Sequence, residues 1–173
     1  MAVKTIVLCC IVLEAAGWAA ATAQPAAAAV RLTASEKAML ALINHARTSR
    51  GLHKLRVVAV LERASRSHSR DMLARDYFSH SSYGGASYQT RLLSFGYSRS
   101  GCTCWKVGEI IGWGRDSAAR ARSVFRRFMK SKVHRAVILR PCFRDVGVGA
   151  ATGSLRSLTG VRMFTVDFGR RAT

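Results

Sequence analysis

The sequence predicts an α+β domain in which a small antiparallel sheet carries a helix layer on each face. Helix-like periodicity fills the early part of the chain, and strand-like stretches that can pair fall at its end. No β-α-β rhythm connects them, so crossover units that build parallel sheets are not expected.

Ahead of the domain, Lys4, the apolar run Ile6 to Leu13 and the triplet Ala21-Thr22-Ala23 read as an export signal over residues 1–23. The cut site is open as far as residue 30. The run is shorter than the roughly 20 apolar residues that span a bilayer, so no integral membrane protein is expected after processing. Residues 24–32 read as an alanine-rich spacer and 33–170 as one domain.

Thr33 and Glu36 stand as a capping box, and Met39, Leu42, Ile43 and Ala46 follow at helical spacing, giving a helix from about Ala34 to Arg50 that Gly51 stops. A second helix spans about Val58 to Asp76, with His68 on its apolar flank. Tyr77 to Gly85 reads as a loop, and Ser87 caps a short helix that ends at Gly96. Trp105 to Trp113 alternates as a strand, with Trp105, Val107, Glu109, Ile111 and Trp113 on one face. Asp116 or Ser117 starts a fourth helix. His134 opens a brief fifth that finishes at Arg140, before Pro141. Asp145 to Ala151 and Val161 to Phe168 are the closing strands, joined through Thr152-Gly153-Ser154.

The net charge is +19, and it survives loss of the leader because Lys4 and Glu14 cancel. Most of the cations are arginines, which suit phosphate and carboxylate groups. For an exported protein the matching surfaces are anionic lipids, wall polymers and acidic glycans. The arginines are scattered and lack an interleaved aromatic ladder, so no specific nucleic acid is expected. Cys102, Cys104 and Cys142 remain after export, and an oxidising compartment favours one bridge. A bond within Cys102-Thr103-Cys104 would be strained, so Cys142 is expected to pair with Cys104 or Cys102.

Glu109 breaks its local pattern, an acid between Val107 and Ile111. Either it lies at a sheet edge in water or it is buried against a partner, and imidazole is the natural one at neutral pH. His80 and His134 occupy a loop and a helix start, where side chains reach into clefts. Two imidazoles can hold Zn²⁺ or another divalent cation only weakly, because zinc sites use three or four protein ligands.

Four stretches, in order, resemble the bacterial branch of the CAP superfamily (cysteine-rich secretory proteins, antigen 5 and pathogenesis-related-1 proteins; the SCP domain). They are LALINHARTSRGLHKLRVVAVLERASRSHSRDML, YFSHSSYGGASYQTRLLSFGY, VGEIIGWG, and FMKSKVHRAVIL followed by FRDVGVGAA. The resemblance implies a three-layer α-β-α sandwich with a cleft lined by His80, Glu109 and His134, with Ser131 beside it. It implies metal at His80 and His134, and Glu109 as the general base if any catalysis occurs. Ile110, Phe128, Lys132 and Val137 depart from the family's usual Asn, Trp, Pro and Asn. The helix before His134 lacks the second cleft glutamate of many relatives. The expected function is an exported binding module for lipid or sterol, anionic polymer or a protein partner. The alternative is a metal-assisted hydrolase in the same cleft.

Overall fold

The structure, a computed structural model, describes residues 31–172. The expected leader, and all of the spacer but its last two residues, lie outside them. The elements run α1 (Ala34–Thr48), β1 (Arg56–Val57), α2 (Ala59–Ala74), α3 (Tyr88–Ser94), β2 (Cys104–Gly114), a 3₁₀ turn (Asp116–Ala119), α4 (Ala121–Lys130), α5 (Lys132–Ile138), β3 (Asp145–Leu155) and β4 (Leu158–Ala172). None of the described helices is long and apolar enough to cross a membrane.

The sheet order is β1-β3-β4-β2. β4 pairs antiparallel with both long neighbours, β2 and β3. The two-residue β1, absent from the sequence reading, adds a parallel edge through Arg56↔Asp145 and Val57↔Val146. It is too short for any periodicity to mark it. The β3–β4 hairpin also turns later than expected. Thr152 to Ser154 remain in β3, and the chain reverses at Arg156 and Ser157, both at positive φ. Neither residue belongs to the Asn/Gly class that normally announces such a turn.

Two apolar layers sandwich the sheet. On one face Met39 and Ile43 of α1, Val124 and Phe128 of α4 and Ile138 of α5 meet Ile110, Val146, Val148, Phe164 and Val166. On the other, Leu61, Ala64 and Met72 of α2 and Leu92 of α3 cover the opposite residues of the strands. α2 lies unusually close, because Gly147 and Gly149 present no side chain beneath it. A Cβ at either position would stand 2.2 Å from the carbonyl carbon of Leu61 or Ser65.

Beyond β1, the edge of β3 is closed by side chains. The Val148 N–H donates to Glu62 Oε2 at 2.8 Å, and the Ala150 N–H donates to Glu36 Oε1 at 3.1 Å. The Arg66 guanidinium bridges the two acids, 2.6 Å from Glu36 and 2.9 Å from Glu62. Burial, helped by the charge of Glu36, pushes the Glu62 carboxyl up to about 7. Glu36 thus completes the capping box with Thr33 and also braces the sheet edge.

The bridge expected between Cys142 and Cys104 or Cys102 is not made; all three thiols are free and half-buried.

Candidate functional site

The strand that carries Glu109 is the sheet edge, yet its carboxylate does not meet water. Its side chain is fully buried because α3 and the 77–87 loop cover that face of β2. Burial there obliges it to find partners. Glu109 Oε1 lies 2.7 Å from His80 Nδ1. Its other oxygen accepts from Arg91 of α3, which is 6% exposed. Arg91 also donates to the His80 carbonyl at 3.3 Å from both terminal nitrogens and to Ser82 Oγ at 2.9 Å. One arginine therefore neutralises the acid and pins the loop that carries His80.

The loop has a second anchor. His68, 1% exposed on α2, places Nε2 2.9 Å from the Ser79 carbonyl. Burial drives its pKa down, and the Arg91 charge adds to this. It is a satisfied core histidine that positions its neighbour. The carboxylate engages Nδ1 of His80 and so fixes the orientation of a ring that is half exposed.

His134 comes from the opposite helix layer. Ser131 caps α5, its Oγ accepting the His134 N–H at 3.4 Å, so α5 starts at Lys132, ahead of the expected His134. That cap, together with an edge-on packing against Phe128 at 5.2 Å, sets the His134 ring. Burial lowers its pKa, and the charge of nearby His80 lowers it further. α5 itself is held from below by Arg47, fully buried, which donates to the carbonyls of His53, Ile138, Arg140 and Phe143. Asn44 clamps the main chain of Leu55 in the same way. These two residues of the NHAR stretch are thus braces rather than site groups.

The structure therefore joins Glu109 to His80 directly and brings His134 within electrostatic range of His80. The expectation that Glu109 faces both rings is corrected: its second oxygen goes to Arg91, because a buried carboxylate gains more from a guanidinium than from a second neutral imidazole.

A further acid was missed. Asp167 of β4 pairs across the sheet with Glu109 and is completely buried. Full burial holds its carboxyl well above the usual carboxylate range; the Glu109 charge pushes the same way, against Ser65 and Arg91. Ser65 Oγ donates to Oδ2 at 2.7 Å, while Oδ1 has no hydrogen-bond partner among the described residues. Burial beside Glu109 thus favours the protonated form of Asp167. An acid between Val166 and Phe168 is the same pattern break that singled out Glu109, so a signal was present. Arg91 stood in the quoted YQTRLLSFGY stretch without a role, since nothing local says that an arginine on a short helix is buried.

Asp167→Asn tests the assignment. A folded-state pKa above the unfolded value of about 3.9 contributes stability below that value and loses it as pH rises. The variant lacks this loss, so its stability relative to wild type is expected to climb from pH 4 upward. At pH 7 it should match or exceed wild type in urea titrations. A deficit of about 2 kcal/mol or more at pH 7 would show that an ionised Asp167 is needed.

The fit to a metal follows from the same contacts. No group of three His, Cys, Asp or Glu side chains among the described residues is placed to hold an ion. Both oxygens of Glu109 are committed, one of them to a cation. The residues do not fit a zinc centre of the usual three-ligand kind; the donors left are two imidazoles.

Comparison with known proteins matches residues 40–168 to the cysteine-rich secretory protein family, CAP. Among curated sequences, the uncharacterized protein YkwD of Bacillus subtilis is 33% identical over 118 residues; the match takes in 68% of this chain and 43% of that one. Among solved structures, an outer surface protein of Borrelia burgdorferi superposes with a TM-score of 0.66 at 17% identity, covering 83% of this chain and 97% of its own. An extracellular SCP-domain protein of Bacillus anthracis gives 0.65 at 22% identity, over 79% and 40%. These likenesses reproduce the α-β-α layering described above.

Proposed function

The chain belongs to the cysteine-rich secretory protein (CAP) family, and from that premise we propose that it is an exported, non-catalytic binding domain. One observation carries the reading: the acid at the centre of the site is fully used. A general base needs a free lone pair aimed at a substrate proton. Glu109 spends its two oxygens on His80 and Arg91. The cluster behaves as a buried strut that fixes the 77–87 loop and presents one oriented imidazole. Hydrolysis through a metal-bound water would require Glu109 as base, and that is the role its contacts oppose.

The charge of +19 supplies the other half of the reading. It favours anionic partners, whether lipids, wall polymers or glycans, and keeps the domain close to an envelope surface. Sterol or a protein partner would have to engage the half-exposed His80 side instead.

Flotation of the purified protein with phosphatidylglycerol-containing vesicles, neutral vesicles, sterol-loaded vesicles and isolated anionic wall polymer tests the proposal. Retention on at least one anionic surface at 150 mM salt is expected, with His80→Ala and Glu109→Gln variants that fold binding as wild type does. Absence of binding to every surface would overturn it, as would peptide or ester hydrolysis lost in Glu109→Gln.

A further inference from the structure

A second concavity lies where β2 begins and β4 ends, apart from the histidines. Arg56, Tyr97, Cys102, Asp145, Arg170 and Arg171 line a cavity of about 520 Å³. Its floor is built. Tyr97 is fully buried, and its hydroxyl donates to Asp145 Oδ2 at 2.7 Å. Gly169 makes this reach possible, since a Cβ there would stand 2.2 Å from the Tyr97 oxygen. Arg56 Nε donates to Asp145 Oδ1 at 2.6 Å. The acid is thereby saturated, and the two terminal nitrogens of Arg56, 73% exposed as a side chain, have no partner among the described residues.

Arg171 lies over the Tyr97 ring, 5.5 Å from its centre. Arg170 and Arg171 make no ion pair among the described residues. Lys106 sits opposite Arg170 in the β2–β4 ladder and is exposed. Three guanidiniums thus share a hollow with one carboxylate that is already engaged. Gathering uncompensated like charges is unfavourable unless an anion joins them. Guanidinium forks match tetrahedral oxyanions, which offer acceptors in several directions and more charge than a carboxylate.

We propose that this cavity binds the phosphate ester group of an anionic envelope component, with Arg56 held in place by Asp145 and Arg170 and Arg171 supplying the closing contacts. The proposal rests on the binding-module reading above and gives it a location. A lipid headgroup and a wall polymer share this chemistry, and the probes separate them.

Affinity would be measured at 150 mM salt for inorganic phosphate, for phosphatidylglycerol vesicles and for poly(glycerol phosphate). Wild type is compared with R170E/R171E and with R122E/R126E, an equal charge change on exposed positions of α4. R170E/R171E is expected to lose tenfold or more on at least one ester probe, while R122E/R126E loses about threefold or less from general charge alone. R170Q/R171Q should keep the same ranking if the charge reversal impairs folding. Preference for vesicles over polymer, or the reverse, identifies the source. Equal losses in the two charge-reversed proteins would overturn the site while leaving a basic binding surface. No binding by wild type to either ester probe would overturn the site as well, while sterol or neutral-surface binding in the flotation assay would still uphold the broader reading.

Discussion

Arg91→Met is expected to destabilise the protein by about 3–5 kcal/mol, the cost of leaving a buried carboxylate without its cation. Arg91 is 6% exposed and Glu109 is fully buried in its side chain. Removing the guanidinium strands the acid beside a second acid, Asp167, in a region that water does not reach. It also frees the His80 carbonyl and Ser82, so the 77–87 loop should loosen along with the core. The measurement is urea unfolding of wild type, Arg91→Met, Glu109→Met and the double variant. The double variant should regain a large part of what Arg91→Met loses, because the uncompensated charge is gone. A cost below about 1 kcal/mol for Arg91→Met would show that the pair contributes no more than an exposed salt bridge.

Gly149→Ala is expected to cost at least about 3 kcal/mol, at the upper end for inserting a group into a packed core. The new methyl would fall 2.2 Å from the Ser65 carbonyl carbon and 2.3 Å from the Arg66 nitrogen. These are main-chain atoms of α2 and cannot rotate aside. The helix would have to lift, and with it the Glu62 bond to Val148 and the Ser65 bond to Asp167. Gly147→Ala should behave alike. Gly84→Ala is the contrast: nothing lies within 4 Å of its Cβ, and its change should stay within about 0.5 kcal/mol. Thermal unfolding decides the matter. A Gly149→Ala protein that melts beside wild type would mean that α2 does not rest on β3 as described.

The sequence by itself determined the class of fold, the positions of the first three helices and the strand on which Glu109 sits. Those features depend on local periodicity and on caps within a few residues, such as Thr33 with Glu36 or Ser87 with Thr90. Glu109 was conspicuous for the same reason, an acid out of step with its neighbours. Only the tertiary structure decided what that acid meets. Arg91, Asp167 and Ser65 come from three other elements, and their burial is a property of packed surfaces that no local pattern encodes. The edge closed by Glu36 and Glu62, and the arginines gathered around Tyr97, arise in the same way, from segments far apart in sequence that the sheet brings together.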